Sequence, residues 1–293
     1  MSNYLRTLES NTWKNMGKNN KLNNFAVFIL THGRPDNVIT KRTLDKSGYT
    51  GKIYYIVDNE DKSADKYIKN FGSENVKVFD KKAMADSIDE GNNFDERRTI
   101  THARNACFDI ATDLGIKYFI QFDDDYGNFS FRYERGLMVK NMDNVFDSFL
   151  DFYKSTNVET IAFSQGGDHI GGFAGTKMKR KAMNSFICST DRQFRFVGAM
   201  NEDVNTYTTL GSRGSLFLTF TSLQLNQKPT QSQDSGITDM YLRYGTYCKA
   251  FTTVMMMPSS VRVSMMQSTN QRLHHSIKWK NTTPMIVDES FRK

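Results

Sequence analysis

A chain of 293 residues, 38% hydrophobic and 13% aromatic, carries enough apolar material for a full core, which excludes a disordered or fibrous protein. Its longest apolar run, Phe25 to Leu30, falls far short of the ~20 residues that cross a bilayer, so no membrane partner is expected. The net charge of +7 is uneven: residues 1–168 hold 23 Lys and Arg against 25 Asp and Glu, and residues 169–293 hold 16 against 7. A positive field confined to one half favours a polyanionic partner such as nucleic acid or an anionic surface, although basic residues also serve solubility.

Residues 1–24, rich in Asn and Lys, read as a loose extension or a short helix with no signal-peptide stretch. Phe25–Leu30 is too short and too uniformly apolar for an amphipathic helix and predicts a buried strand of a parallel sheet. The polar turn Thr31-His32-Gly33-Arg34-Pro35 follows, then a helix over 36–47, a strand over 53–57, a helix near 61–70 and a strand over 76–79. Ala103, Ala106, Ile110 and Leu114 form one stripe of a helix over 101–114, with Gly115 placed as its stop. The strand from Ile116 to Phe122 runs straight into Asp123-Asp124-Asp125. Alternating strands and helices imply a parallel α/β sheet, whose ligands bind at the carboxyl ends of the strands.

A helix is predicted over 142–154 and a strand over 160–164. Residues 165–181 contain five glycines followed by Lys177, Lys179, Arg180 and Lys181, which suits a mobile loop. The aromatic, β-branched and Met-rich stretch 194–264 predicts a second, mixed sheet. Cys107, Cys188 and Cys248 have no metal-ligand spacing and cannot pair evenly, so a reducing, intracellular location, the cytoplasm, is expected.

Three adjacent carboxylates raise one another's pKa unless a cation neutralises them. Mg²⁺ takes one or two such carboxylates and completes its shell with water and phosphate oxygens. A solvated acidic turn is the plain alternative. Asp123, Asp125 and Glu134 also match positions of a calcium loop, but its glycine falls at the wrong place and a strand precedes it.

These features in this order resemble the nucleotide-sugar glycosyltransferases of the A-type fold (GT-A), especially the large inverting group. The resemblance rests on Thr31-His32-Gly33-Arg34, Val57-Asp58, Ala103-Arg104-Asn105, Phe122-Asp123-Asp124-Asp125 and Asn201-Glu202-Asp203. It implies a Rossmann-like, mostly parallel central sheet flanked by helices, with a mixed-sheet C-terminal half. Residues 1–24 would then be an extension and 25–293 one catalytic domain, with a nucleotide-sugar half over 25–168 and a basic acceptor half over 169–293. By the same resemblance Thr31, Arg34, Asp58, Arg104, Asp123 and Asp124 line the donor pocket, with Asp58 on the base and Arg104 near the base or diphosphate. Asp125 and Asp123 would hold Mn²⁺ or Mg²⁺, and His275 or its neighbour His274 would meet the metal or the diphosphate. Asp203, beside Glu202, would be the general base towards the acceptor hydroxyl, and the donor would be a UDP-sugar.

The whole chain also looks like the phage-encoded glycosyltransferases that modify 5-hydroxymethylpyrimidines in DNA. That likeness implies double-stranded DNA with modified cytosine as acceptor, held in a host cytoplasm. Lys177, Lys179, Arg180, Lys181, Arg192 and Arg195, interleaved with Phe194 and Phe196, are the candidate DNA contacts, since cations bind phosphates and aromatics stack on an unpaired base. The loop residues Gly167, Asp168 and His169 are weaker candidates for donor-sugar or base contacts. A transferase acting on polysaccharide, lipid or protein shares the donor site. A non-catalytic nucleic-acid-binding protein would lack the donor ligands, and a nucleotidyltransferase would carry a richer phosphate loop than Gly33-Arg34.

Overall fold

The computed structural model describes residues 21–88, 97–132, 137–169, 181–227, 245–266 and 271–284. Its frame is one nine-stranded sheet made of β1 (Phe25–Leu30), β2 (Lys52–Asp58), β3 (Val76–Phe79), β4 (Tyr118–Asp123), β5 (Tyr126–Phe131), β6 (Leu137–Met138), β7 (Val158–Ser164), β8 (Phe186–Ser189) and β9 (Leu216–Gln227). The spatial order is β3-β2-β1-β4-β8-β7-β9-β5-β6. Strands β3, β2, β1 and β4 are mutually parallel, β8 lies antiparallel between β4 and β7, and β9 runs parallel to β7 and antiparallel to β5.

The helices are α1 (Ile39–Lys46), α2 (Ala64–Phe71), α3 (Lys81–Asp86), α4 (Thr101–Asp113), α5 (Met142–Lys154), α6 (Glu202–Gly211) and α7 (Thr246–Met256). Every residue of β1 is buried, as its uniform apolar run requires of a strand covered on both faces. Phe25, Val27 and Ile29 pack with Leu44 of α1, Tyr67 of α2 and Phe146 and Leu150 of α5. Ala26, Phe28 and Leu30 pack with Cys107, Phe108 and Ala111 of α4 and with Val204 and Tyr207 of α6. The sheet is therefore the middle of three layers, and its period of two sorts β1 between two cores.

The expected helix stop at Gly115 is present, with φ +65°. One expectation is corrected. Residues 194–264 do not form a second mixed sheet, because β9 joins the central sheet and α6 and α7 fall in the same stretch. The separate sheet is the antiparallel pair β10 (Val261–Met266) and β11 (Arg272–Ile277). Among the described residues no helix is long and apolar enough to cross a membrane.

Candidate active site

The carboxyl ends of β1, β2 and β4 lie side by side, since Leu30 pairs with Ile56 on one flank and Asp123 on the other. The triple-aspartate turn is fastened there by the first turn of α1. Thr40 donates its N–H to Asp124 O at 3.0 Å and its hydroxyl to Asp123 O at 2.5 Å, and that hydroxyl accepts from Tyr126 N at 3.0 Å. The three carboxylates then point to different partners.

Asp123 accepts from Arg104 Nη2 at 3.1 Å. Asp124 takes Thr31 Oγ1 at 2.6 Å and Arg34 Nη2 at 3.0 Å, while Arg34 N–H and Thr31 share the Tyr67 hydroxyl at 2.8 Å each. Asp125 keeps a buried Oδ1 with no protein partner among the described residues. Burial pushes Asp123 and Asp124 up to about 6, against the pull of Arg104 and Arg34 respectively. Asp125 is raised as well, by burial and then by Asp124. Such a turn gains from a cation brought from outside.

Arg104 departs from the expected place. It is only 1% exposed, so its guanidinium does not line an open nucleotide pocket. It lies over the Phe186 and Phe196 rings and spans from Asp123 to Glu202, donating Nε to Glu202 Oε1 at 2.9 Å. Burial alone would lower its pKa, but Asp123 and Glu202 outweigh that and raise it. The residue that resemblance assigns to the donor instead joins the aspartate turn to the start of α6.

The entry to α6 is built by backbone constraint. Gly198 has φ +86°, and a Cβ there would meet Asn205 Nδ2 at 2.4 Å, so only glycine fits. Its carbonyl accepts Thr101 Oγ1 at 2.7 Å, tying the loop to α4. Asn201 is left-handed with φ +53°, a conformation Asn tolerates better than most residues, and its Nδ2 donates to Lys249 O at 2.5 Å and Thr253 Oγ1 at 3.1 Å on α7. Glu202 and Asp203 follow in the first turn of α6, both buried. Burial, then Glu202, pushes Asp203 up to about 7.

Asp58 ends β2 and accepts His32 Nδ1 at 2.7 Å and Lys81 Nζ at 3.3 Å. Sequence reading missed His32, Thr40, Asp61, Tyr67 and Lys81 as site-building residues. The placement of Thr31-His32-Gly33 straight after β1 was the available signal for His32, whereas Thr40 and Tyr67 carried none.

His275 lies beside Asn201, with Nδ1 3.5 Å from Asn201 Nδ2 and Nε2 3.4 Å from Lys181 Nζ. Burial, then Lys181, lowers it to about 2, so it stays neutral. Both ring nitrogens thus face protein groups, which corrects its expected place among the metal ligands. Among the described residues no group of three or more His, Cys, Asp or Glu side chains could hold a metal. Of the residues expected to hold a metal, that leaves the two carboxylates Asp123 and Asp125. The orphaned Asp125 Oδ1 fits a hard cation that takes its remaining ligands from water and phosphate.

Among the described residues the expected DNA contacts Lys181, Arg192 and Arg195 do not stay together. Arg192 donates to Val158 O at 2.8 Å and Tyr153 O at 3.2 Å and stacks on Tyr153, at the amino ends of the strands and away from the aspartates. Its placement corrects the expectation that it faces DNA. Arg195 pairs with Asp109 on α4 at 3.0 Å. Lys181 sits with His274 and His275, 3.2 Å from His274 Nε2. Lys177, Lys179 and Arg180, and Glu134 of the calcium-loop alternative, lie outside the described residues. Gly166–His169 form a short 3-10 turn in which Asp168 Oδ2 accepts Gln165 N–H at 2.9 Å.

A family model described as TET-associated glycosyltransferase matches residues 25–236, most of the chain and all of the elements that carry this site. The chain belongs to the TET-associated glycosyltransferase family. As a glycosyltransferase of that family it is an enzyme, and its match ends before α7 and the β10–β11 hairpin. It is similar to the mannosyltransferase PcManGT from Pyrobaculum calidifontis in complex with GDP-Man and Mn²⁺, at 11% identity and TM-score 0.45 over 80% of this chain and 72% of that one. It is also similar to Staphylococcus aureus TarS 1–349 in complex with UDP-GlcNAc, at 11% identity and TM-score 0.42 over 74% and 63%. A third likeness is to glucosyl-3-phosphoglycerate synthase from Mycobacterium tuberculosis in complex with Mg²⁺ and UDP, at 6% identity and TM-score 0.44 over 86% and 87%. No curated protein sequence matches this glycosyltransferase.

Proposed function

We propose that this glycosyltransferase moves a sugar from a UDP-sugar to the hydroxymethyl oxygen of 5-hydroxymethylcytosine in DNA, with inversion at the anomeric carbon. The observation that carries the reading is the Arg104 bridge. One buried guanidinium holds Asp123 and Glu202, the neighbour of Asp203, which supports reading the aspartate turn as the donor site and Asp203 as a base close to it. Thr31, Arg34 and Asp124 make one hydrogen-bonded wall of that site, and Asp58 stands at the end of the adjoining strand.

Asp203 takes the proton of the acceptor hydroxyl as its oxygen bonds to the anomeric carbon. The bond from that carbon to the diphosphate breaks, and the nucleoside diphosphate leaves with the electron pair. A carboxylate raised to about 7 is matched to this work near neutral pH, because a base is most effective when its pKa is close to the working pH. Mn²⁺ or Mg²⁺ on Asp125 and Asp123 would neutralise the diphosphate's charge. Single-site attack opposite the leaving group gives inversion. The DNA acceptor is supported by the TET association in the family's description and by the net positive charge of residues 169–293.

The test incubates the protein with Mn²⁺, a panel of UDP-sugars and duplex DNA containing either cytosine or 5-hydroxymethylcytosine, then reads digested nucleosides by mass spectrometry. A sugar-sized mass gain on the hydroxymethylated base alone is the expected result. Donor hydrolysis without DNA modification would move the acceptor to a polysaccharide, lipid or protein, and no donor consumption would end the donor reading.

A further inference from the structure

At the carboxyl ends of β1 and β2 a half-exposed imidazole stands on two buried carboxylates. The His32 side chain is 50% exposed, whereas those of Asp58 and Asp61 are 7% and 2%. His32 Nδ1 is 2.7 Å from Asp58 Oδ2 and 3.8 Å from Asp61 Oδ2. Asp58 Oδ1 accepts from Lys81 Nζ at 3.3 Å and from Glu60 N at 3.2 Å. The Asp61 oxygens accept from Gly33 N and Ser63 N at 2.7 Å each. Every oxygen of the two carboxylates therefore has a protein donor, and the group left facing outward is the imidazole. The space beside the neighbouring Gly33 is also open, since a Cβ placed there would meet nothing within 4 Å.

A carboxylate on one ring nitrogen fixes the tautomer. Nδ1 carries the proton, and Nε2 is an acceptor when the ring is neutral and a donor when it is charged. The hydrogen bond to Asp58 raises the His32 pKa against burial, Asp58 and Asp61 add attraction, and Lys81 opposes them. In either charge state Nε2 finds a partner on a base edge that carries N–H beside C=O.

Resting on the donor-site reading above, we propose that His32 is the residue of this chain that reads the nucleobase of the donor, with Asp58 and Lys81 as positioning residues. Asp58, whose oxygens are already taken, acts on the base through the imidazole and not by direct contact. The ligand class is a nucleoside diphosphate whose base presents adjacent N–H and C=O groups, such as uracil or guanine.

Calorimetric titrations of the full chain with UDP, GDP and pyrophosphate, each with Mn²⁺, test this in the unaltered protein, His32→Ala and Asp58→Asn. His32→Ala is expected to weaken the preferred nucleotide about tenfold, the effect of one lost hydrogen bond to a partly charged group, and to leave pyrophosphate binding unchanged. Asp58→Asn is expected to keep part of the affinity and to move its pH dependence to lower pH, since the imidazole loses the partner that raises it. In the unaltered protein the ¹⁵N signal of His32 Nε2 should shift with the nucleotide and stay in place with pyrophosphate. Unchanged nucleotide affinity in His32→Ala, or an equal loss for nucleotide and pyrophosphate, overturns the proposal. Should the unaltered protein bind no nucleoside diphosphate at all, the donor-site reading itself fails and this inference falls with it.

Discussion

Asp203, the base of the proposed transfer, accepts the N–H of Val204 on Oδ1 at 2.7 Å. Its pKa is raised from 3.8 to about 7, first by burial and then by Glu202, so between those values the native state holds a proton that the unfolded chain has lost. Stability tied to that proton is present below about 4 and is lost as pH rises through about 7. Asp203→Asn removes the ionisation. Its melting temperature is expected to match the unaltered protein near pH 4 and to exceed it by several degrees at pH 8. The same variant should lose about a hundredfold or more in kcat while keeping UDP affinity, and kcat/KM of the unaltered enzyme should rise through pH ~7. Scanning calorimetry and initial rates read both effects, and an unchanged kcat would place the base elsewhere.

Asp125 is the contrasting case. Its Oδ1 bonds to no protein group among the described residues, and the side chain hydrogen-bonded to its carboxylate, Gln227, is only half-buried, so the fold has little to lose with it. Asp125→Ala is expected to abolish turnover at every Mn²⁺ concentration while its melting temperature without metal stays within about a degree or two of the unaltered protein, since the Gln227 amide that loses its partner is half-buried and can turn to water. Normal turnover in that variant would remove the metal role.

At the scale of elements, Arg104 is the joint between β4, α4 and α6. Removing one partner of a buried ion pair strands the other charge, which costs about 3–5 kcal/mol. Arg104→Met strands two carboxylates, Asp123 and Glu202, so a loss of at least that order is expected in urea unfolding, together with loss of activity. A stable, active Arg104→Met would show that the two carboxylates do not need the bridge. This joint also marks the limit of sequence reading. The strand ends at Leu30, Asp58 and Asp123, the helix over 142–154 and the stop at Gly115 are all legible, because each is written in a short local pattern. Arg104 and Glu202 lie 98 positions apart, and no local pattern states that they meet. The β-type composition of residues 216–227 is likewise local, but the choice of β7 and β5 as neighbours is not, so a second sheet was expected where one continuous sheet forms. His32 was visible only as part of a turn, because its role depends on Asp58 and Lys81 arriving from β2 and α3.

For the molecule as a whole, the charge division of the sequence becomes a question of which basic groups face outward. Arg192 is held by two carbonyls and a tyrosine ring at the amino ends of the strands, so its charge serves the fold. Lys177, Lys179 and Arg180 belong to the basic run that follows five glycines. Each phosphate contact made by such a cation steepens the fall of log K with log salt by about 0.9. Replacing Lys177, Lys179 and Arg180 together with Ala is therefore expected to weaken duplex binding and to flatten that slope by about 2 to 3 if all three meet phosphates. Arg192→Ala should lower the melting temperature and leave the slope untouched. Fluorescence anisotropy of labelled duplex over a salt series separates the two. A slope that survives the triple replacement would mean that the basic half keeps the protein soluble and that the acceptor is held by other groups.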